Sequence, residues 1–372
     1  MKRYKSIDGM RGLFMIIMIG GHLFEWWLIE ADYWLYVALA SVCIPVGASG
    51  FLFVSGISTS LSYQKSLLRP EASDELFKLK MRNVYIFRAL FLLVIAFIYN
   101  IAIALALNDL TWIWAWFVLQ TIGFSILMAW PFLKTSKILR IIIGIGALAL
   151  HETLFALLFD FQGQANFYGI AYHILFHPIQ LYPILPYFSV FIFGTVIGDI
   201  IFSINQIDNE IDRKSAFKRS FFYPVLILGS IIVIFGILYQ FPSFLLWTPI
   251  SARLFGIGVI FVMVSIFIGI EEFNVFKMKK NHRLFYFYSY YSFTIFLAHN
   301  PLHFLFTRQL TAVTIWFAVL PTVILMTILL KVLHDKLGPK ASLKAIISLI
   351  SFKLATKIEV RKKKKILNAK IE

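Results

Sequence analysis

The first apolar run of this chain, Ser6 to Ile29, is long enough to cross a bilayer as a helix, yet it carries three ionisable side chains. Arg11 lies near its start, and His22 and Glu25 lie near its end. At about 100° per residue, the step from Arg11 to His22 makes roughly three turns, so both point the same way, about 16 Å apart along the axis. Glu25 shares that face. Because ionisable groups inside a membrane usually line a cavity, we expect this stripe to face the interior of a helix bundle.

Each of these side chains also has an ordinary explanation. Arg11 would anchor the helix by extending its charge to the lipid headgroups. His22 would be a buried polar residue satisfied by a neighbouring helix, and Glu25 lies close to the outer interface. The occurrence of all three on one face favours the functional interpretation.

The composition identifies an integral membrane protein. Of 372 residues, 60% are hydrophobic and 15% are charged, and the mean hydropathy is +0.81. This apolar share is well above that of a soluble domain. We predict an all-α, polytopic membrane bundle with about ten transmembrane helices. The apolar runs fall at residues 9–30, 36–62, 84–107, 112–133, 138–159, 181–204, 221–240, 249–270, 286–307 and 311–334.

The distribution of charge predicts the topology. Basic residues precede the first run and follow the second, fourth, sixth, eighth and tenth runs, whereas the other connections have almost no Lys or Arg. By the positive-inside rule both termini are cytoplasmic, and we expect a multi-pass protein of the cell membrane. Topology and lipid contact explain the formal net charge of +16, so nucleic acid is not an expected partner.

The end of the chain differs from the rest. We divide the chain into a transmembrane domain, residues 1–338, and a basic amphipathic tail, residues 339–372. Ala341 to Val360 combines apolar residues with lysines at helical spacing, and RKKKK follows from Arg361 to Lys365. We expect a helix on the inner leaflet, held by anionic lipid at roughly 1 kcal/mol per charge.

The connection from Phe159 to Gln180 is the longest on the outer side. Its middle, Ile170 to Phe176, is too apolar to be disordered, so we expect a short interfacial or re-entrant helix there. A structural lid with no ligand role is the alternative. Pro178, Pro183 and Pro186 follow, and they favour a kinked start of the next helix.

Metal chemistry is not expected. The single cysteine, Cys43, excludes an internal disulfide and a cysteine-based metal site. The sequence shows no metal-ligand spacing and no glycine-rich phosphate loop.

Four stretches resemble the transmembrane acyltransferases, namely the acyltransferase-3 family and its relatives around heparan-alpha-glucosaminide N-acetyltransferase. Members open with an Asp, an Arg-Gly pair and a histidine, which stand here as Asp8, Arg11, Gly12 and His22. A later stretch resembles the family's late helix, with His299 shortly before a proline. Of these stretches, the one from Leu181 to Gly198 is closest to the heparan-glucosaminide branch of the family. The three later stretches are FLFVSGISTSLS (Phe51 to Ser62), LYPILPYFSVFIFGTVIG (Leu181 to Gly198) and YYSFTIFLAHNPLHFLF (Tyr290 to Phe306).

The resemblance implies a membrane-embedded acyltransferase. Members move an acyl group, often acetyl, onto a sugar or another acceptor. It also implies that His22 is essential and that Arg11 is important. The acceptor is left open between a sugar, an amine and a lipid headgroup.

The resemblance extends more loosely to Asp8, His299, Ser55 and Gly56. Asp8 has an alternative role as the N-cap of the first helix. Ser55, Gly56 and Ser58 would equally serve to permit close helix packing.

Depth along the helices predicts which polar groups can meet. At 1.5 Å per residue, His22 lies about 20 Å above the cytoplasmic end of its helix, past the middle of a roughly 30 Å core. His299, the pair His151 and Glu152, and Gln120 reach nearly the same level. These groups form a predicted outer layer of imidazole and amide groups.

The predicted inner layer is cationic. Arg11 and Arg88, with Arg82, would bind the phosphates of cytoplasmic acyl-CoA by charge-assisted hydrogen bonds. The long pantetheine arm would thread the bundle and present its thioester at His22. The expected co-substrate is therefore acyl-CoA, with acetyl-CoA favoured by the family.

Acyl transfer needs a base near neutral pH, since an acceptor attacks a thioester only after losing a proton. Imidazole suits this task, and a positioned base contributes about 10²- to 10⁴-fold. Glu25, or a residue on another helix, would orient His22. The tetrahedral intermediate needs hydrogen-bond donors, for which His299, Asn300 and Gln120 are candidates. Direct transfer and an acyl-histidine intermediate both remain open.

Two other functions fit the same charges. A transporter of a small anionic or lipid-linked solute would use them as a substrate path, and paired broken helices would favour it; the sequence shows no such pairing. A non-enzymatic scaffold, or a family member that has lost activity, is the third interpretation.

Overall fold

The computed structural model describes residues 4–177, 182–242, 250–275 and 283–368. Within these ranges the ordered elements are α-helices joined by short 3₁₀ turns or, after α8, by a π-helical turn, and no β-strand forms. The helices are α1 Lys5–Trp27, α2 Tyr33–Leu67, α3 Glu75–Leu107, α4 Val118–Ala129, α5 Lys137–Leu158, α6 Phe167–Leu175, α7 Ile184–Ile204, α8 Glu210–Phe217, α9 Tyr223–Tyr239, α10 Ile250–Glu272, α11 Arg283–Tyr290, α12 Ser292–Ala298, α13 Ile315–Leu337 and α14 Leu343–Asn368.

Nine helical segments in the described ranges are long and apolar enough to cross a membrane, judged by length and composition. This confirms the predicted all-α polytopic bundle. The predicted run at 286–307 differs from the others: it forms α11, α12 and a 3₁₀ turn at Asn300–Phe304. Pro301 explains the second break, because proline lacks a backbone N–H and clashes with the preceding helical turn. The cytoplasmic location of the termini stays a prediction.

The chain divides into two compact units. The first unit contains residues 1–54 and 203–345, and the second contains residues 55–202 and 346–372. Helix α2 contributes its first part to one unit and its last part to the other. The boundary that we predict between residues 338 and 339 stays a prediction.

In the first unit, α1 packs against α10, α11 and α13. Its buried face carries Phe14, Leu23 and Trp27. The backbones of α1 and α11 approach closely, since a Cβ at Gly12 would overlap the backbone carbonyl group of Phe285. Gly12, part of the Arg-Gly pair noted in the sequence, is therefore required by packing.

The start of α1 is capped by a different residue from the one predicted. The N-cap residue is Tyr4, and Asp8 lies in the first turn, so the prediction that Asp8 is the N-cap is wrong. Instead, the carboxylate of Glu271 accepts hydrogen bonds from the backbone N–H groups of Lys5 (3.0 Å) and Ser6 (2.7 Å). A carboxylate at the end of α10 thus satisfies donors that the first helical turn leaves open.

In the second unit, α3 packs against α4, and α2 packs against α7. A Cβ at Gly56 would overlap the carbonyl oxygen of Phe191, so this part of the FLFVSGISTSLS stretch permits close helix packing. The core between α7 and its neighbours includes Trp116, Phe188 and Phe191.

The predicted short helix in the outer connection is present as α6. The side chain of Asn166 caps it by accepting from Gly169 N at 2.9 Å, and Tyr172 and Phe176 pack against Leu158. Pro178 lies outside the described residues, and α7 begins directly after Pro183. The placement of α6 at the membrane interface stays a prediction.

The predicted helix near the end of the chain is present as α14. Its Glu359 forms an ion pair with Lys80 of α3 at 2.8 Å, and the Lys80 ammonium lies 4.9 Å from the ring centre of Phe352. Its placement on the inner leaflet stays a prediction.

Candidate active site

The end of α1 is joined to the chain after α12 by a series of hydrogen bonds. The backbone N–H groups of Arg308 and Leu310 donate to the carbonyls of Trp26 (2.9 Å) and Trp27 (2.8 Å). Trp27 Nε1 donates to the carbonyl of Leu302 at 2.8 Å. These bonds place the last turn of α1 against the segment that contains the late histidines.

His22 and Glu25 form a pair on this last part of α1. His22 Nδ1 lies 3.1 Å from Glu25 Oε2, and their side chains are 34% and 36% exposed. They are three residues apart, so they adjoin on one helix face, as the sequence predicts. A carboxylate only accepts hydrogen bonds; Nδ1 therefore carries the proton, and Nε2 of the neutral ring is left as the basic nitrogen.

His22 belongs to a cluster of aromatic and imidazole rings. Its ring stacks on Trp26 with centres 5.0 Å apart and lies 5.2 Å from the ring of His299. Trp26 also stacks on His299 at 5.7 Å and meets His303 edge-on at 5.4 Å. The structure thus brings together His22, Glu25 and His299, three residues that the sequence predicts to be catalytic.

His299 ends α12 and caps it with its own side chain. Its Nδ1 lies 2.8 Å from the carbonyl oxygen of Phe296 and 3.2 Å from that of Ile295. Carbonyl oxygens only accept, so Nδ1 carries the proton and Nε2 of the neutral ring has a lone pair. The residue is 3% exposed, and Nε2 has no hydrogen-bond partner among the residues described. A buried acceptor without a donor is costly, which makes Nε2 a candidate position for a ligand N–H or O–H.

Arg11 lies near the other end of α1 and is 6% exposed. Its Nη1 donates to Asp8 Oδ1 at 3.4 Å, and Ser289 Oγ donates to the same oxygen at 3.5 Å. The structure therefore places Arg11 inside the first unit, paired with the aspartate of the same motif.

The other predicted cationic residues lie on α3 in the second unit. Arg82 is exposed and Arg88 is half-buried. Their grouping with Arg11 in an inner layer stays a prediction.

Among the predicted outer-layer groups, Gln120 and His151 are buried in the second unit. Gln120 Oε1 accepts from Asn100 Nδ2 at 3.1 Å, whereas Gln120 Nε2 has no partner within the described ranges. His151 packs its ring against Phe176. The expectation that Gln120 and His151 lie at the same level as His22 and close to it also stays a prediction.

Sequence reasoning missed Trp26, His303 and a buried ion pair between Arg140 and Asp199. Trp26 follows His22 by four residues, and His303 follows His299 by four, so helical spacing could have indicated both. No spacing signal points to the pair of Arg140 and Asp199, which come from α5 and α7.

A comparison with protein families identifies a matching model over residues 3–232, described as heparan-alpha-glucosaminide N-acetyltransferase, catalytic. The matched segment contains Asp8, Arg11, His22 and Glu25, whereas His299 lies beyond it. The comparisons with curated proteins and with solved structures gave no significant match. Because the family model covers more than half of the chain, the resemblance seen in the motifs is confirmed: the chain belongs to the heparan-alpha-glucosaminide N-acetyltransferase catalytic family of membrane acetyltransferases.

Proposed function

We propose that this protein is a cell-membrane acyltransferase that moves an acyl group, in the first instance acetyl, from cytoplasmic acyl-CoA to a sugar, an amine or another cell-envelope acceptor. One observation carries the proposal: Glu25 Oε2 lies 3.1 Å from His22 Nδ1, where the carboxylate accepts a hydrogen bond from Nδ1–H. This contact orients the ring and leaves Nε2 as a base. The family match supports the reaction class.

In direct transfer to a hydroxyl, His22 Nε2 removes the proton as the oxygen attacks the thioester carbon; an ammonium acceptor first loses one proton to solvent, and Nε2 then removes a second proton from the amine as its nitrogen attacks. The C–S bond of the tetrahedral intermediate then breaks. The departing thiolate takes the proton from the His22 imidazolium, which Glu25 stabilises while the ring is charged. If Nε2 instead attacks the thioester carbon, the C–S bond breaks, the CoA thiolate leaves and an acyl-histidine forms. The acceptor then attacks the acyl carbon, the bond from that carbon to Nε2 breaks, and the freed Nε2 takes the acceptor proton and passes it to the thiolate.

His299 acts on the acceptor in this proposal. Since Nδ1 is committed to backbone carbonyls, Nε2 of the neutral ring accepts rather than donates. It therefore suits an acceptor O–H or N–H better than the oxyanion. The oxyanion role falls to Asn300, which follows His299 in the chain and has a side-chain amide that can donate.

Arg11, Arg82 and Arg88 bind the donor phosphates in this proposal. A guanidinium binds phosphate oxygens in pairs, and Arg11 is held in place by Asp8. Aspartate also keeps the buried charge paired when no donor is bound.

Mass spectrometry of cell-envelope glycans and lipids tests the proposal and identifies the acceptor. Cells that lack the protein should lack an acylated species that returns with the wild-type gene but not with His22→Ala. His173→Ala is a matched control, because it removes a half-buried imidazole that lies on α6, in the second unit. Restoration by His22→Ala, or solute flux with no acylated product, would refute the proposal; the second result would indicate a transporter.

A further inference from the structure

A cavity of about 440 Å³ lies within the second unit. Its lining includes Tyr63, Gln64, Lys78, Trp130, Lys134 and Asp199. These residues come from the last turns of α2 and α7, the first turns of α3 and the connection between α4 and α5. The adjoining connections carry the basic residues that the positive-inside rule places in the cytoplasm.

The inner part of this cavity is a neutralised polar floor. Asp199 forms a buried ion pair with Arg140, which is 1% exposed and also donates to Thr195 Oγ1 at 3.1 Å. Ser60 Oγ and Gln64 Nε2 donate to the other oxygen of Asp199. The positive charge of Arg140 neutralises the carboxylate of Asp199. The inner part of the cavity therefore carries no net negative charge that would repel an anion.

The rim is basic and reaches solvent. Lys78 and Lys134 are both exposed. Lys78 forms an ion pair with Glu75 at 2.6 Å, and an exposed pair of this kind contributes little stability, so a phosphate can take the place of the carboxylate. The floor adds no net negative charge, and the two lysines therefore make the cavity mouth attractive to anions.

The wall is aromatic. The ring of Trp130 meets Tyr63 edge-on with centres 5.8 Å apart and lies 4.8 Å from the ring of Tyr85. The ammonium of Lys134 lies 5.9 Å from the centre of the same indole. A planar base can pack on an indole that is fixed in this way, and its N–H groups can use the oxygens of the floor.

We propose that this cavity binds the phosphorylated adenosine end of acyl-CoA. The proposal rests on Lys78 and Lys134 at the rim, on the indole of Trp130 in the wall, and on the neutralised polar groups in the inner part of the cavity. Lys78 and Lys134 bind phosphate oxygens, and the adenine packs on Trp130. The volume is within the range of small-molecule sites, about 300 to 1,000 Å³. Arg82 follows Lys78 by one helical turn, so the same face of α3 continues the basic rim. This inference rests on the proposed function, because it assigns a place to the donor.

Binding of adenosine 3′,5′-bisphosphate tests the inference without turnover. The full-length protein in nanodiscs of zwitterionic lipid is titrated with the bisphosphate, with CoA and with pantetheine. We expect Lys78→Ala/Lys134→Ala to weaken bisphosphate and CoA binding at least about tenfold and to leave pantetheine binding unchanged. Lys214→Ala is the matched control, because Lys214 also forms an exposed ion pair, with Glu210 at 2.7 Å, but does not line the cavity.

Three results would overturn the inference. The double variant could bind the bisphosphate as the wild type does, or Lys214→Ala could weaken binding equally, which would indicate a general effect of surface charge. In nanodiscs with anionic lipid, the wild type could retain a phospholipid that the double variant loses, with bisphosphate binding unchanged; the cavity would then be a headgroup site. Failure of acyl transfer with bisphosphate binding intact would refute the proposed function and leave the cavity assignment standing.

Discussion

Glu25, one turn further along the same helix, accepts a hydrogen bond from Nδ1–H of His22, with Oε2 and Nδ1 3.1 Å apart. Because the two residues share α1, their geometry depends on helical structure and not on a flexible loop. The rings of Trp26, on α1, and His299, at the end of α12, both pack against the imidazole of His22 and restrict its rotation.

Replacing Glu25 should weaken catalysis while leaving the fold intact. In Glu25→Gln the amide oxygen can still accept from Nδ1, but the negative charge that stabilises the imidazolium is lost. We expect kcat to fall about 10- to 100-fold with little change in KM for acyl-CoA, measured by release of free CoA. Glu30→Gln, in the exposed turn after α1, should retain wild-type kcat. An unchanged kcat in Glu25→Gln would show that the carboxylate does not act through His22.

Replacing Gly12 should destabilise the first unit. In Gly12→Ala the new methyl group would overlap the Phe285 carbonyl, so α1 and α11 must separate. We expect a loss of about 1–3 kcal/mol in the free energy of unfolding, measured by thermal or denaturant unfolding in detergent. Gly20→Ala is the control, because a Cβ there meets no atom within 4 Å. Equal stability of the two variants would contradict the close approach of these helices.

Removing the indole N–H of Trp27 should loosen the segment that carries the late histidines. Trp27→Phe removes the 2.8 Å hydrogen bond to the Leu302 carbonyl, which keeps the N–H of Leu305 as a second donor, and the lost bond should cost about 0.5–1.5 kcal/mol of stability. Acyl transfer should fall as well, because His299 lies just before this turn. Trp34→Phe, at a site 61% exposed, should have no effect on either measurement. A normal rate of transfer in Trp27→Phe would show that this bond does not position the site.

The buried pair of Arg140 and Asp199 should behave as a unit. Arg140→Met leaves the carboxylate buried without its counter-ion and should destabilise the protein by about 3–5 kcal/mol. Arg140→Met/Asp199→Leu removes both charges and should be less destabilised than the single variant. Unfolding of the three proteins in the same detergent gives the coupling energy. Additive losses would contradict a direct ion pair.

Stability of the short helix α6 should depend on pH. Burial lowers the pKa of His173, and burial with the neighbouring charge of His173 lowers that of His177, both from the ordinary value of 6.5. A histidine whose pKa is lowered by folding binds protons more readily when unfolded. Its stabilising effect is therefore complete above about pH 6.5 and is lost as the pH falls below that value.

Hydrogen exchange measures this effect on α6. After correction for intrinsic rates, amides of α6 should exchange faster at about pH 5.5 than at about pH 7.5. His173→Gln/His177→Gln should remove the difference. Slower exchange at the lower pH in the wild type would contradict the direction of the pKa shifts.

Local sequence patterns predicted those features that depend on a single helix. Nine of the ten apolar runs, all but the one at 286–307, located helices long enough to span in the described part of the chain, and helical spacing placed His22 and Glu25 together. The apolar middle of the outer connection predicted α6. In each case the signal and the structure involve the same few residues.

Features that join distant parts of the chain were not predictable in this way. Glu271 caps α1 from more than 260 residues away, which displaced the simpler N-cap assigned to Asp8. The pairing of Arg140 with Asp199 depends on how α5 meets α7. The ninth run was predicted as one spanning helix although it contains Pro301. The use of His299 as the cap of a shortened helix depends on the carbonyls that this break leaves open.

Transfer of labelled acetyl from acetyl-CoA by the purified full-length protein tests the central claim most directly. The acceptor fraction is an envelope extract, and folding of each variant is checked by unfolding in the same detergent. The account predicts transfer by the wild type and His173→Ala, and loss of about 10²-fold or more in a folded His22→Ala. Transfer at the wild-type rate by His22→Ala would contradict the assignment of this imidazole as the reactive base.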